Sequence, residues 1–592
     1  MILFPVINGC LTKSCRCIYL SLLFCKNSSK QTGTDNENDK FQSHKFFKKH
    51  LHFYRKIHDH WSLSIATINL NQLSFEYDAP YVKIFEDLSL RIDTGWKTAL
   101  IGRNGRGKTT LLNLLQKKIS PTAGWLDVSI PTSYFPFIPE NEYQNTLDVI
   151  RDCIAPFNLW EKAMGALWQD GHPNDVQKAA EINEHYEQFG GYEINARIEK
   201  EMAAIGLAAD TLERNFTKLS GGEQTRALII ALFLRKGQFL LLDEPTNHLD
   251  MDGREALARY LFRKPGFLLV SHDRSFLDIC TDHVIAINRK DVRVMRGNYS
   301  EWKRQNDLEE KSERRANEKL KREISHLEAA AGQRRAGAHQ KEKEKIGAYD
   351  KGFVGHRAAK QMKRAIIMEK KIQENIEEKK ELFKNLEKER QLKFGSADKT
   401  PEILLTVENL SIKFDGKMII KDFSLSVGKG RRIAIIGGNG VGKTTLFNAI
   451  SRETPIHSGT VHVPGNVKLM RAYQKPLWAS GHLRPHLQME KIDETRFRQI
   501  LGVMGVSGDV FDRPLETFSQ GQLKKVDLCR SFIHPAHLLL WDEPVNYVDV
   551  MSREQIEEAI LVFKPNLLFT EHDKYFIDRI ATDVVRLEPA EV

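Results

Sequence analysis

The sequence predicts an α/β fold in two tandem copies, joined by a long antiparallel α-helical hairpin and without a transmembrane domain. Three observations lead there. The 592 residues exceed what a single hydrophobic core supports, so two or more domains are required. Four short motifs recur in the same order. GRNGRGKTT at Gly102–Thr110 returns as GGNGVGKTT at Gly437–Thr445, and LSGGEQ at Leu219–Gln224 as FSQGQL at Phe518–Leu523. FLLLDEPTNHLD at Phe239–Asp250 returns as LLLWDEPVNYVD at Leu538–Asp549, and LLVSHDRSF at Leu268–Phe276 as LLFTEHDKYF at Leu567–Phe576. Finally, composition is ordinary for a globular chain, 41% hydrophobic and 28% charged, and no run approaches the ~20 apolar residues of a membrane span.

Residues 1–60 stand apart. They hold ten Lys/Arg against four Asp/Glu, lack a hydrophobic period, and read as disordered or as the product of an early start codon. The nine residues Cys17–Cys25 are too short and too poorly flanked to favour a signal peptide. The seven cysteines form no disulfide framework, which suits a reducing compartment. Organised sequence begins near Leu63, where SIATINLNQLSF alternates like a strand, and the first copy spans residues 63–300. Lys108 and Glu244 lie 136 residues apart, whereas Lys443 and Glu543 lie 100 apart. The first copy therefore carries 36 extra residues, about 144–200, whose Ala, Glu, Lys and Trp content reads as a helical arm.

Residues 301–394 form the linker, with 26 Lys/Arg and 18 Asp/Glu. Leu320, Ile324 and Leu327 make one narrow apolar stripe, and Ile372, Ile376, Phe383 and Leu386 another. Gly332, Gly337, Gly347, Gly352 and Gly355 fall between the stripes and predict a break, hence a hairpin with its tip at about 329–370. A limb of about 28 residues is about 42 Å long. The tip carries a net charge of +7 and four rings able to stack on bases or on each other, His339, Tyr349, Phe353 and His356. The second copy occupies residues 403–592.

The repeated motifs specify phosphate chemistry. G-x-x-x-x-G-K-T is a phosphate-binding loop: Gly102, Asn104, Gly105 and Gly107, and Gly437, Asn439, Gly440 and Gly442, turn backbone N–H groups toward an anion. Lys108 and Lys443 are placed for the β- and γ-phosphates of ATP, Thr109 and Thr444 for Mg²⁺, with Thr110 and Thr445 following on the helix. Asp243 and Asp542 end apolar runs and suit the same Mg²⁺. Glu244 and Glu543 come next, placed to polarise an attacking water, and His272 and His572 to sense the γ-phosphate. Tyr77 and Phe414, upstream of the loops, fit either adenine stacking or core packing.

Together these motifs resemble those of ABC ATPases, in which the signature of one domain closes on ATP held by the other. The resemblance implies one site joining Lys108, Asp243, Glu244 and His272 with Ser519 and Gly521. It implies a second joining Lys443, Asp542, Glu543, His572 and Gln474 with Ser220, Gly221 and Gly222. Two such domains with a charged helical linker resemble the ABC-F family. SQGQ, WDEPVNYVD, EHDKYF and the linker run LEAAAGQRR resemble its antibiotic-resistance branch of Lsa/Vga type. The resemblance to the ABC-F family covers about Leu63 to the C-terminus. The resemblance to that branch implies a cytoplasmic, monomeric ATPase whose linker reaches ribosomal RNA and P-site tRNA and relieves lincosamides, pleuromutilins and streptogramin A.

A housekeeping ABC-F translation factor shares every ATP motif, and the ATPase subunit of a transporter shares most of them. Two departures stand out. Phe137 occupies the first copy's glutamine-loop position, where the second has Gln474, and Gln520 replaces a signature glycine. The Lys108 site is accordingly expected to be the slower. Residues 1–60 have no family counterpart.

Overall fold

The computed structural model describes residues 66–590 other than 79–80, 171–172, 289–290, 344–366, 368–369, 372–391, 393, 396–399, 415, 507 and 509. The expectations for residues 1–60, for the returning limb of the hairpin and for Tyr349, Phe353 and His356 lie outside the described residues. The chain divides into two compact units: residues up to 299 together with those from 391 onward, and residues 300–390.

Within the larger unit each motif set builds two sheets. In the first copy, Thr67–Asp78 lies between Tyr81–Asp93 and Ala123–Val128 in an antiparallel sheet. Its alternation puts Ile68, Leu70 and Leu73 inward. The second sheet has the order Thr132–Phe135, Phe239–Asp243, Phe267–Val270, Lys97–Gly102, His283–Ile287 and Val292–Arg296, parallel except for the last strand. Its central strands are apolar without alternation because both faces are covered: Leu241, Leu268 and Leu100 are wholly buried.

The second copy repeats the plan. Ile403–Phe414 lies between Lys417–Gly428 and Ser458–His462. The parallel sheet runs Leu469–Ala472, Leu538–Asp542, Leu567–Thr570, Arg432–Ile436 and Asp583–Arg586. In both copies the phosphate-loop strand sits beside the strand that ends in His-Asp, and that strand beside the one ending in Asp-Glu. The C-terminal strand ends therefore gather the repeated motifs at one edge, where open α/β sheets hold ligands.

Extra residues in the first copy form the paired helices Phe157–Asp170 and Pro173–Gln188, flanked by Thr146–Ile154 and Ile194–Ile205. Among the described residues the second copy has the shorter α-helices Leu483–Met489 and Glu494–Val503 in the corresponding interval. Leu392 and Phe394 pack into the core of the second copy, Phe394 against Phe532 and Trp541. Met251 of the first copy also packs against that core. Among the described residues no helix is long and apolar enough to cross a membrane.

The smaller unit departs from expectation in one respect. A single helix, Tyr299–Lys343, runs 45 residues, about 67 Å at 1.5 Å per residue. It passes through Gly332 and Gly337, where the glycines were expected to end the limb. Each glycine costs a helix about 1 kcal/mol relative to alanine. The helix-forming neighbours Ala329, Ala330, Ala331, Gln333, Arg334, Arg335 and Ala336 outweigh that cost.

Candidate functional site

Both phosphate loops have the backbone that their glycines permit. Gly105 and Gly107 adopt φ of 81° and 92°, and Gly440 and Gly442 adopt 79° and 104°. A side chain at Gly107 would also meet Ile84 Cγ2 at 2.5 Å, and one at Gly442 would meet Ile419 Cγ2 at 2.7 Å. The helices Lys108–Leu115 and Lys443–Ile450 follow directly, and their N-cap glycines offer no side-chain acceptor. Their first-turn N–H groups thus need an external acceptor, which is how a helix start receives phosphate. Lys108 Nζ donates to the carbonyl oxygens of Gly102 (2.7 Å) and Arg103 (3.3 Å) and to Asn104 Oδ1 (3.4 Å). Lys443 Nζ donates to Gly437 O (2.8 Å) and Gly438 O (2.9 Å). Each ammonium thus lies over its own loop, and burial lowers the pKa of both. The residues present fit a nucleoside triphosphate.

The strand-end acids lie beside the loops. Asp243 accepts from the Tyr134 hydroxyl (2.9 Å), and burial raises its pKa. Asp542 accepts from Thr570 Oγ1 (2.8 Å), while among the described residues its buried Oδ2 has no hydrogen-bond partner and lies 4.0 Å from Arg471 Nη2. The hydroxyls of Thr109 and Thr444 sit one residue beyond the loop lysines. A strand-end acid close to a loop lysine that is followed by a threonine suits a divalent cation arriving with phosphate.

Glu244 and Glu543 share an unusual backbone, with φ of 49° and 48°. Their surroundings differ. Glu543 Oε1 accepts from Gln474 Nε2 (3.0 Å) and its Oε2 from Asn546 Nδ2 (3.2 Å), with His572 Nε2 3.6 Å away. Burial opposes ionisation there, yet the His572 imidazole, the Gln474 amide and Lys443 outweigh it and hold the carboxyl at about 2. Glu244 has His272 Nε2 at 3.3 Å, and no hydrogen bond reaches its Oε1. Phe137, at the position matching Gln474, lies instead under the Arg235 guanidinium, 5.5 Å from ring centre. Burial first, and then Asp243, push the Glu244 carboxyl up to about 8. Burial, with Lys108 and Arg553 nearby, also drives the His272 imidazole well below its ordinary pKa. The two carboxyls are thus pushed in opposite directions, Glu543 toward the anion and Glu244 toward the neutral acid.

Parts of one copy reach the other. Asn439 Nδ2, in the second phosphate loop, donates to His248 O of the first copy (2.9 Å). A side chain at Gly438 would come within 3.8 Å of Asp250. One at Gly521 would meet Asn104 Nδ2 of the first loop at 2.8 Å. Gly221 and Gly222 lie against His248, the residue that touches the second loop. Ser220 and Ser519 cap the helices Gly221–Leu234 and Gln520–Ile533, each through a reciprocal capping box. Gln520 is the first residue of the second of these helices.

Tyr77 and Phe414 are not core residues, at 41% and 65% exposed. The Tyr77 hydroxyl sits 3.2 Å from Thr110 Oγ1 on the loop helix, and Phe414 ends the matching strand. Thr445, the counterpart of Thr110, is half-buried.

Sequence reasoning missed several partners. Arg274 and Glu557 make a bidentate ion pair between the copies, both fully buried, and Arg579 Nη1 donates to the same carboxylate at 2.6 Å. The Arg274 guanidinium also stacks on Tyr575 (4.1 Å). Lys524, two residues beyond the FSQGQ run, is buried among backbone carbonyls. Its only signal was a lysine where the first copy has Thr225.

A family model described as ABC transporter matches residues 85–247 and again 420–546. The chain carries two ABC transporter ATP-binding domains. It is an ATPase. The chain is 28% identical over 531 residues to the energy-dependent translational throttle protein EttA of Mycobacterium tuberculosis, covering 85% of this chain and 88% of that one. It is 27% identical over 530 residues to ABC transporter F family member 5 of Arabidopsis thaliana, covering 86% and 73%. Among solved structures, the archaeal ribosome recycling factor aABCE1, in complex with the ribosomal stalk protein aP1, aligns with a TM-score of 0.54 at 19% identity. That alignment covers 87% of each chain and is a likeness of fold.

Proposed function

We propose that this ATPase is a cytoplasmic ABC-F protein that acts on the ribosome, and that it belongs to the branch protecting the peptidyl-transferase centre from lincosamides, pleuromutilins and streptogramin A. The observation that carries the ATPase cycle is the interleaving of the two ATP-binding domains, with Gly521 against Asn104 and His248 against Asn439. Nucleotide bound on one loop would then touch both domains and favour the closed arrangement through its differential affinity.

In this reading Lys108 and Lys443 bind the phosphates and Tyr77 and Phe414 stack on adenine. Ser220, Gly221 and Gly222 face the Lys443 loop, and Ser519 and Gly521 the Lys108 loop. Mg²⁺, held by Thr109 with Asp243 and by Thr444 with Asp542, would neutralise charge on the phosphates. Glu543, assisted by Gln474 and His572, activates water at the Lys443 site. Glu244 and His272 do so more slowly at the other.

The ribosomal part rests on the basic linker, +7 over residues 329–370, which suits a dense polyanion such as ribosomal RNA with its bound P-site tRNA. The relative named a translational throttle points the same way. The resistance branch rests on SQGQ, EHDKYF and the linker run. The likeness to EttA favours a second reading, a translation factor without drug protection.

Glu244→Gln combined with Glu543→Gln should keep ATP binding and trap the protein on ribosomes. Sedimentation with ATP tests this, and absence from the 70S fraction refutes it. Inhibitory concentrations of lincomycin, tiamulin and virginiamycin M, with and without the gene, separate the two readings.

A further inference from the structure

The helix Gln520–Ile533 touches both sites. Ser519 is its N-cap, and Gly521 in its first turn lies against Asn104 of the first phosphate loop. Three residues along one face, Lys524, Asp527 and Arg530, grip the second domain's own glutamine loop. Lys524 Nζ donates to Tyr473 O (2.6 Å), Gln474 O (3.3 Å) and Asp542 O (3.0 Å), which uses all three ammonium hydrogens. Asp527 Oδ2 accepts from Tyr473 N (2.9 Å), and Arg530 Nη2 donates to Arg471 O (2.8 Å). Lys524 and Asp527 are almost wholly buried.

The spacing of three places these residues on one helix face. The first domain has Thr225, Leu228 and Ala231 at the matching positions, so it cannot repeat these contacts. The grip joins two strand ends. Tyr473 and Gln474 follow the strand Leu469–Ala472, and Asp542 closes Leu538–Asp542 immediately before Glu543. The Gln474 amide that donates to Glu543 therefore hangs from a segment fixed by Lys524.

We propose that Lys524 is a positioning residue for hydrolysis at the Lys443 site, and that it makes the geometry of Gln474 and Glu543 depend on how the Lys108 site engages Ser519 and Gly521. Movement of the helix N-terminus on one nucleotide is carried through Lys524, Asp527 and Arg530 to the water-activating carboxylate at the other. This rests on the reading of Glu543 as the residue that activates water. A displacement of about 1 Å at such a carboxylate costs on the order of 100-fold in rate.

The test measures Mg-ATP hydrolysis, as released phosphate, by Lys524→Met in two backgrounds. In Glu244→Gln, where turnover comes from Glu543, kcat should fall about 10- to 100-fold with KM for ATP changed less than about twofold. In Glu543→Gln, where turnover comes from Glu244, the rate should change less than about twofold. Lys524→Gln, which reaches fewer of the three carbonyls, should show a smaller loss with the same dependence on background. It carries the test if Lys524→Met does not fold. Equal losses in both backgrounds would mean a general structural role and overturn the proposal, as would no loss in Glu244→Gln. Full activity in the double glutamine variant would instead refute the assignment of the two glutamates, a separately readable result.

Discussion

Glu244→Gln and Glu543→Gln are one chemical change at two copies of one position, and they should move folding stability in opposite directions. In an unfolded chain both carboxyls titrate near 4.5. In the folded protein Glu244 titrates at about 8, so between pH 4.5 and 8 the folded state holds a proton that the unfolded state has lost. Stability therefore falls as pH rises through that window. A rise of about 3.5 units at about 1.4 kcal/mol per unit sets a ceiling near 5 kcal/mol. The Glu244 side chain keeps 20% of its surface exposed, and solvent relaxation brings the expectation to roughly 2–3 kcal/mol. Glutamine has no proton to lose, so Glu244→Gln should gain that amount at pH 8 and almost nothing at pH 5.

Glu543 is the reverse case. Its pKa of about 2 gives stability that is fully present above pH 4.5 and lost as pH falls toward 2. Glu543→Gln should cost roughly 1.5–2 kcal/mol at pH 5 and at pH 8 alike, after the same discount from a ceiling near 3.4 kcal/mol. For domains of this size, 1 kcal/mol moves Tm by about 2–4 °C. Scanning calorimetry of nucleotide-free protein at pH 5, 6.5 and 8 should resolve shifts of roughly 3–10 °C with opposite signs at pH 8. Two downward shifts of equal size, or a gain for Glu244→Gln independent of pH, would refute the reasoning.

The same protonation states set rate profiles. Glu543→Gln, leaving the Lys108 site, should hydrolyse ATP faster as pH rises toward 8, whereas Glu244→Gln should show a flat rate from pH 5.5 upward as far as Glu543 controls it; initial rates across pH check both. Arg274→Met should leave Glu557 with Arg579 as its remaining strong partner and lower stability by about 2 kcal/mol, less than the 3–5 of an uncompensated buried charge. The denaturant midpoint should drop and the two domains should unfold less cooperatively; an unchanged midpoint would show that the ion pair contributes nothing.

The parts of the fold that phosphate chemistry dictates were legible in the sequence. A loop that turns its N–H groups on an anion needs left-handed glycines, and Gly105, Gly107, Gly440 and Gly442 are where the spacing put them. The two tandem α/β domains followed from the repeat of those loops and of the apolar runs feeding them. What could not be read were pairings across long separations. Arg274 and Glu557 are 283 residues apart, and no local pattern joins them. Nothing local marks Lys524, because burial of a lysine is visible only once its carbonyl acceptors are in place. Tyr77 and Phe414 fitted core and ligand roles equally by sequence, and exposure decided against the core. The helix runs on through Gly332 and Gly337 because the alanines beside them hold it, an effect that single glycines do not reveal.

The differences between the two sites lie in donors rather than in motifs. Each has its lysine, its strand-end aspartate and its glutamate at the same left-handed φ. At a buried position a carboxylate stays ionised only if hydrogen-bond donors and cations replace the water it has lost. The second domain supplies them: Gln474 and Asn546 donate to Glu543, and Lys524 fixes the segment that carries Gln474. The first has Phe137 in place of the glutamine and Thr225, Leu228 and Ala231 in place of the gripping trio, so Glu244 keeps its proton. A base must be deprotonated to take a proton from water, whereas a neutral acid can still contribute to holding nucleotide. With the same lysine, aspartate and glutamate in each, the substitutions around them would thus separate a site suited to turnover from one suited to occupancy. The contact of Gly521 with Asn104 and the grip of Lys524 would give an occupied Lys108 site a physical route to the Lys443 site.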